Sequence, residues 1–183
     1  KKIWNSFLIA FAMFSKIPVP RADWDKENMR YMMCFFPLIG VVIGVLLQGL
    51  GILCTWLSFG DTMRGASFVL LPVLVTGGIH MDGFLDTTDA LSSWQPREKK
   101  LEILKDSHVG AFALMACAVC LIAQFALWQE AELSGRALWV LALVPVYSRA
   151  WSGLGVVTMP NARGQGMLAT FSSAVKESEA KRS

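Results

Sequence analysis

Two long stretches without a charged residue constrain this chain more than any other feature. One runs from Tyr31 to Gly60 and the other from Val109 to Gln129. An uncharged apolar segment of about 20 residues is long enough to cross a bilayer as a helix, whereas a helix of a water-soluble protein needs one polar face. Charged residues make up 17% of the chain, against about 25% in soluble domains. The sequence therefore predicts an all-α, polytopic integral membrane helix bundle.

Breaks in the apolar pattern divide the chain into segments of one membrane-embedded domain, residues 1–183. The apolar segment 3–14 is short for a span and is followed by Pro18-Val19-Pro20, so we expect an interfacial or re-entrant helix there. Glycines, prolines and charged residues separate the remaining apolar runs. The pattern predicts four spans, at residues 31–59, 66–81, 109–128 and 137–159.

The distribution of lysine and arginine predicts the orientation of these spans. These residues number 4, 1, 4, 1 and 4 in residues 16–30, the turn around Arg64, residues 82–108, the turn around Arg136 and the tail 161–183. Loops rich in Lys and Arg stay on the cytoplasmic side, so the polar segment 82–108 is expected to face the cytoplasm. The net charge of +3 is small, and no basic stripe with interleaved aromatics predicts nucleic-acid binding. The cysteines all lie in apolar runs, which favours helix packing over a zinc or redox site.

The polar segment begins with an acidic cluster in the stretch GGIHMDGFLDTTD, residues 77–89. On a helix with about 100° per residue, Asp82, Asp86 and Asp89 fall at about 0°, 40° and −20°, on one narrow face. Like charges at this spacing destabilise a helix, so basic partners, protons or divalent cations must neutralise them. Oxygen ligands favour a hard cation, Mg²⁺ or alternatively Mn²⁺. The alternative is a solvated acidic face beside the basic residues Arg97, Lys99 and Lys100.

Further polar residues extend the predicted site. Asp106 becomes a fourth metal ligand if residues 98–105 fold back as a helical hairpin, and Gly110 would permit close approach of helices there. Phosphate oxygens could be bound by Lys105 and Arg163, for which lipid headgroups are the alternative. Arg149 lies inside a span, where a charge is costly, and is predicted to bind phosphate, with a structural pairing to a buried carboxylate as the alternative. His80 is predicted as a general base or supporting group, with a structural hydrogen-bonding role as the alternative, and His108 as a structural residue.

Beyond these local patterns, nearly the whole chain resembles the cobalamin synthase family of adenosylcobinamide-GDP ribazoletransferases. The stretches that carry the resemblance are FLIAFAMFSKIPVP, FFPLIGVVIGVLL, TGGIHMDGFLDTTDALSSWQPREKKLEILKDSHVGAFAL, YSRAW and NARGQGM. The resemblance implies a Mg²⁺-dependent enzyme that joins adenosylcobinamide-GDP to α-ribazole or its 5′-phosphate and releases GMP. It also implies a bacterial inner membrane location with a cytoplasmic active site. Family members continue through further hydrophobic segments, so the chain is expected to lack their last spans.

Other function classes are open from the residues alone. CDP-alcohol phosphotransferases carry spaced aspartates too, but Asp86-Thr87 stand where those enzymes have Ala-Arg. Intramembrane prenyltransferases carry two Asp-rich motifs, whereas this chain has one motif and Asp106. A cation transporter would place its ion site near the bilayer midplane and often has repeats, and no repeat is visible. The lipid bilayer is the expected surrounding, and a homo-oligomer is compatible with the sequence.

Overall fold

The computed structural model of the protein describes residues 1–131 and 135–162. Within those ranges every regular element is an α-helix, which confirms the predicted all-α class. The helices are α1 (Lys2–Phe14), α2 (Lys26–Met29), α3 (Met32–Trp56), α4 (Asp61–Thr76), α5 (Ile79–Ser92), α6 (Arg97–Ile103), α7 (Ala111–Glu130) and α8 (Gly135–Thr158).

Helices α3, α7 and α8 are each long and apolar enough to cross a membrane. Helices α4 and α5 would count as a fourth span only as a pair, and that pair is bent by 92°. Along α7, large apolar side chains are exposed, among them Val119 and Leu127. An extended apolar surface of this kind is unfavourable in water but ordinary against lipid tails. The helices are therefore those of a polytopic membrane protein, as the uncharged runs predict.

Contacts divide the described chain into two compact units, which are considered separately. The first unit comprises Lys1–Gly49 and the described residues from Gly135 onward. Its core is formed by one face of α1 and one face of α3, where the side chains of Ile9, Met32, Ile39 and Ile43 are fully buried. Aromatic rings connect the two helices, since Phe14 lies 4.5 Å from Phe36 between ring centroids.

The short helix α2 is fixed to α1 by polar contacts. Asp25 caps α2, since its carboxylate accepts from the Asn28 backbone N–H at 2.7 Å. The buried Ser6 hydroxyl donates to the Asn28 carbonyl, and Lys2 pairs with Glu27 at the exposed edge. In the structure, the apolar segment predicted as an interfacial or re-entrant helix is thus a 13-residue helix with one buried face.

Glycines of α3 allow α8 to approach at the level of the backbone. A Cβ added to Gly40 would lie 2.5 Å from the Pro145 carbonyl oxygen, and one added to Gly44 would overlap the Ala142 carbonyl. This is the close packing that small residues four apart permit between membrane helices. Further along the same helix, the Gln48 amide donates to the Leu138 carbonyl oxygen at 2.6 Å.

The second unit comprises Leu50–Leu133 and contains α4 to α7. Helices α4 and α7 pack together, with the buried Phe68 ring 5.0 Å from that of Trp128. Near this contact, Gly65 faces Phe125 and Gln129. Helix α5 leaves the end of α4 and packs against the other end of α7. The second unit therefore holds the complete acidic stretch and the helices that surround it.

Candidate functional site

The acidic stretch begins at a sharp turn between two helices. Gly77 and Gly78 both adopt left-handed backbone conformations, with φ of 65° and 80°, which glycine adopts without steric cost. The Gly78 N–H donates to the Val73 carbonyl at 3.0 Å and closes the end of α4. The helix in the predicted span 66–81 consequently ends at Thr76, and α5 starts in a new direction at Ile79.

Helix α5 carries all three aspartates of the motif. Asp82 lies in its first turn, where a carboxylate interacts favourably with the positive end of the helix dipole. Asp82 is exposed, while Asp86 and Asp89 are half-buried. Because all three belong to one regular helix, their spacing places them within a sector of about 60°. The local structure thus gives the shared acidic face that the spacing predicts.

The two threonines between these aspartates bond to their own helix. The Thr87 hydroxyl donates to the Gly83 carbonyl and the Thr88 hydroxyl to the Phe84 carbonyl, each at 2.7 Å. A hydroxyl has one proton to donate, so neither threonine has a second proton for an aspartate. The donor protons of both threonines are therefore used by the backbone of α5.

Asp89 contacts the beginning of α7 directly. Its carboxylate accepts from the Gly110 backbone N–H at 2.5 Å and from the Ala113 backbone N–H at 3.1 Å. A Cβ added to Gly110 would lie 2.5 Å from the nearer Asp89 carboxylate oxygen. The predicted close approach at Gly110 is therefore present, and the group that approaches is a carboxylate rather than a helix backbone.

The segment between α5 and α7 holds the other polar residues of the predicted site. Helix α6 lies against α5 and is followed by Lys105 and Asp106, both exposed. The Asp106 carboxylate accepts from the His108 backbone N–H at 3.0 Å, and its oxygen lies 2.6 Å from His108 Nδ1. The backbone N–H and then the side chain of His108 lower the pKa of Asp106 below its usual range. Asp106 is thus held as a carboxylate in a tight local turn.

The predicted basic and histidine residues have different surroundings. His80 lies exposed in the first turn of α5, two residues before Asp82. Arg149 lies in α8, in the first unit, and donates to the Pro145 carbonyl oxygen at 3.3 Å. Its buried Nε atom has no hydrogen-bond partner among residues 1–131 and 135–162. Arg163 lies outside the described residues.

The donor chemistry of the acidic face suits a divalent cation, but the side chains do not form a preassembled metal cage. Within the part of the chain that the structure describes, no three acidic, histidine or cysteine side chains are grouped closely enough to hold a metal ion. The predicted ligands are all carboxylates, which bind Mg²⁺ or Mn²⁺ in preference to softer metals. The assignment of Asp82, Asp86, Asp89 and Asp106 to a metal, and of His80, Lys105, Arg149 and Arg163 to catalysis, stays a prediction.

The contact between Asp89 and α7 is the feature that the sequence does not reveal. Helical spacing shows which side chains share a face of α5 but not which element lies opposite that face. The only signal is Gly110, a small residue immediately before an apolar helix. It predicts a close approach without identifying the approaching group.

Comparison with known proteins gives the same family over most of the chain. The family model for cobalamin-5-phosphate synthase matches residues 6–181. A relative from Lachnoclostridium phytofermentans, named adenosylcobinamide-GDP ribazoletransferase, is 45% identical over 170 residues, which cover 93% of this chain and 64% of the relative. A relative of the same name from Clostridium perfringens strain SM101 is 32% identical over 93% of this chain and 68% of its own length.

These relatives extend beyond the matched region. A third one, from Geobacillus thermodenitrificans, also bears the name adenosylcobinamide-GDP ribazoletransferase and is 31% identical over 93% of this chain and 66% of its own. The chain thus spans about two thirds of the length of the curated relatives that it matches. No solved structure matches it. The chain belongs to the cobalamin-5-phosphate synthase family.

Proposed function

We propose that the protein is an adenosylcobinamide-GDP ribazoletransferase. It would join adenosylcobinamide-GDP to α-ribazole, or to α-ribazole 5′-phosphate, and release GMP. The relatives that bear this name support the proposal. The structural observation that carries it is the acidic face of α5, where three carboxylates lie on one short helix directly after an apolar helix. A diphosphate substrate needs charge neutralisation of the kind that carboxylate-bound cations provide.

The proposed reaction exchanges one phosphorus–oxygen bond for another. A ribose hydroxyl of the α-ribazole attacks the phosphorus next to the aminopropanol arm of the cobinamide. The new oxygen–phosphorus bond forms as the bond to the bridging oxygen breaks, and GMP leaves with that oxygen. The hydroxyl proton passes to a base, for which His80 and the aspartates are the proposed groups.

Asp82, Asp86 and Asp89 are the proposed metal ligands, with Asp106 as the fourth member of the set. Bound Mg²⁺, or Mn²⁺ in its place, would polarise the diphosphate and stabilise the charge that develops on it. Asp82 is exposed at the start of α5, so a cation and its phosphate ligand can reach it from solvent. Lys105, Arg149 and Arg163 are proposed to bind phosphate oxygens as charge-assisted donors.

The proposed location is the bacterial inner membrane, with the acidic face of α5 toward the cytoplasm. The excess of Lys and Arg in segments 16–30 and 82–108 supports this orientation. It can be tested with Ser107→Cys in a background whose four cysteines are replaced by serine. A membrane-impermeant maleimide should label this residue in inverted membrane vesicles but not in intact spheroplasts, and the reverse pattern would contradict the orientation.

The activity is tested by following GMP release from full-length protein in detergent. The assay contains adenosylcobinamide-GDP and α-ribazole, with Mg²⁺ or with EDTA. We expect Mg²⁺-dependent release that falls by roughly a hundredfold or more in Asp82→Asn, because a stabilising charge at the reacting group is lost. The matched control is Glu102→Gln, which neutralises an exposed carboxylate of α6 that pairs with Lys99 outside the predicted site.

Two results would count against the proposal. An absence of GMP release from the wild-type protein with both substrates present would overturn the reaction. Equal activity of Asp82→Asn and wild type would leave the reaction in place but remove the metal assignment. Because Glu102→Gln carries the same change of charge on a neighbouring helix, it separates a specific effect of Asp82 from a general effect of surface charge.

A further inference from the structure

Helix α7 begins without a cap of its own. Its N-cap residue is Gly110, which has no side chain, and its first turn contains no acidic residue. A helix N-terminus leaves backbone N–H groups without partners inside the helix, and an Asp, Asn, Ser or Thr side chain at the N-cap usually accepts from them. In this protein Asp89 of α5 supplies that acceptor from another helix, on the N–H groups of Gly110 and Ala113.

The absence of a side chain at position 110 is what allows this contact. Gly110 has φ of −79° and ψ of 161°, an extended conformation open to any residue, so the backbone itself does not demand glycine. Glycine is required by the limited space, because an added Cβ would lie within 2.9 Å of all three atoms of the Asp89 carboxylate group. The cap from Asp89 and the missing side chain at Gly110 are therefore two parts of one arrangement.

We propose that Asp89, besides its predicted place among the metal ligands, is a positioning residue, which fixes the start of α7 against the acidic face of α5. The segment that ends at Gly110 contains Lys105 and Asp106, so the same contact fixes one end of that segment close to the helix that carries Asp82. The interaction is stronger than a pair of neutral hydrogen bonds, because a carboxylate that accepts from two N–H groups at a helix N-terminus is stabilised both by charge-assisted hydrogen bonding and by the helix dipole. The catalytic consequence of this positioning rests on the proposed function, whereas the contact itself does not.

Amide hydrogen exchange in the full-length protein, without metal or substrate, tests the contact. In Asp89→Ala, exchange at Gly110 and Ala113 should accelerate by about tenfold or more, because hydrogen bonds to a charged acceptor are lost. Asp82→Ala is the matched control, since it removes a carboxylate from the same face of the same helix. It should leave exchange at Gly110 and Ala113 within about twofold of wild type.

Two further variants separate positioning from a general loss of structure. In Asp89→Asn the amide oxygen still accepts from one N–H, so exchange should lie between wild type and Asp89→Ala. In Gly110→Ala the carboxylate keeps its charge but is displaced, so exchange at Ala113 should rise as in Asp89→Ala. In the double variant Asp89→Ala/Gly110→Ala, exchange should be no faster than in either single variant, because the added methyl group no longer meets a carboxylate.

Activity provides the second readout. If Asp89 positions the segment with Lys105 and Asp106, Gly110→Ala should lower kcat for GMP release by at least about tenfold, although this variant replaces no predicted metal ligand and displaces only the carboxylate of Asp89. Unchanged exchange in Asp89→Ala, or equal acceleration in Asp82→Ala, would overturn the proposal. Since exchange is measured without substrate, an inactive wild-type enzyme would contradict the proposed function while leaving this contact testable.

Discussion

Glycine brings two pairs of helices together in this protein, and the two contacts differ in what the glycine admits. In the first unit, Gly40 and Gly44 of α3 make room for the backbone carbonyls of α8. In the second unit, Gly110 at the start of α7 makes room for the Asp89 carboxylate. A backbone carbonyl within a helix cannot move aside, whereas a carboxylate can rotate away at the cost of its hydrogen bonds. The first contact therefore concerns folding, and the second concerns the geometry of the predicted site.

The largest effect is expected at the backbone contact. Gly44→Leu should destabilise the protein by more than about 3 kcal/mol, because overpacking against an immobile backbone forces the helices apart. The measurement is the yield and thermal unfolding of the detergent-solubilised protein. Gly49→Ala is the matched control in the same helix, because no atom lies within 4 Å of an added Cβ there. A fully stable Gly44→Leu protein would show that the two contacts do not differ in this way.

A moderate effect on stability, with a larger one on activity, is expected at the carboxylate contact. Gly110→Ala should lower stability by about 1–3 kcal/mol, the cost of hydrogen bonds lost from a charged acceptor. Thermal unfolding and GMP release should be measured on the same preparations. Gly83→Ala serves as the stability control, since it lies in α5 with open space around an added Cβ. A loss of folding in Gly110→Ala comparable to that in Gly44→Leu would remove the distinction.

A smaller effect is expected for the hydrogen bond beside the backbone contact. The Gln48 amide donates to the Leu138 carbonyl, and replacing it in Gln48→Met should cost roughly 0.6–1.7 kcal/mol, the range for such bonds between membrane helices. Gln124→Met is the control, because its exposed amide donates to Cys120 Sγ of the same helix at 3.3 Å. Equal unfolding temperatures for the two variants would show that packing alone holds α3 against α8.

The smallest effect is expected at the exposed ion pair of α6. The hydrogen bond and charge of Lys99 lower the pKa of Glu102 below its ordinary value. The folded carboxyl group therefore loses its proton more readily than the unfolded one, so any stabilisation is present above the unfolded pKa and disappears as the pH falls through the folded pKa. Thermal unfolding of Glu102→Gln should match wild type at pH 7 within experimental error, since exposed pairs contribute little. A clear loss of stability would show that this ion pair contributes about as much to stability as the Asp89 contact does.

Some features of both units can be predicted from the sequence alone. The uncharged runs predict helices because no other structure of that length satisfies its backbone in lipid, and helices α3, α7 and α8 lie within a few residues of the predicted spans. The spacing of Asp82, Asp86 and Asp89 predicts a shared face for the same local reason. Both predictions depend on periodicity within one segment, which is the information that a sequence carries most directly.

Contacts between segments are less accessible from sequence. The apolar character of the chain continues through Ile79 and Met81, so hydropathy predicts one segment over residues 66–81, whereas helix α4 ends at Thr76. The turn depends instead on left-handed conformations at Gly77 and Gly78, which composition permits but does not require. In the same way, Gly110 indicates an open space, while only the fold shows that Asp89 occupies it.

The turn at Gly77 and Gly78 also bears on how the acidic residues would be arranged if α4 crossed a membrane. Along a helix parallel to the membrane normal, Asp82 and Asp89 would differ in depth by about 10 Å, at 1.5 Å per residue. With α4 along the normal, the 92° bend directs α5 along the plane of the membrane. The three carboxylates then share one depth, and that 10 Å becomes a lateral distance. In the proposed reaction, a large amphipathic substrate would then approach such a row from the side, with its apolar part in the lipid and its diphosphate level with the carboxylates.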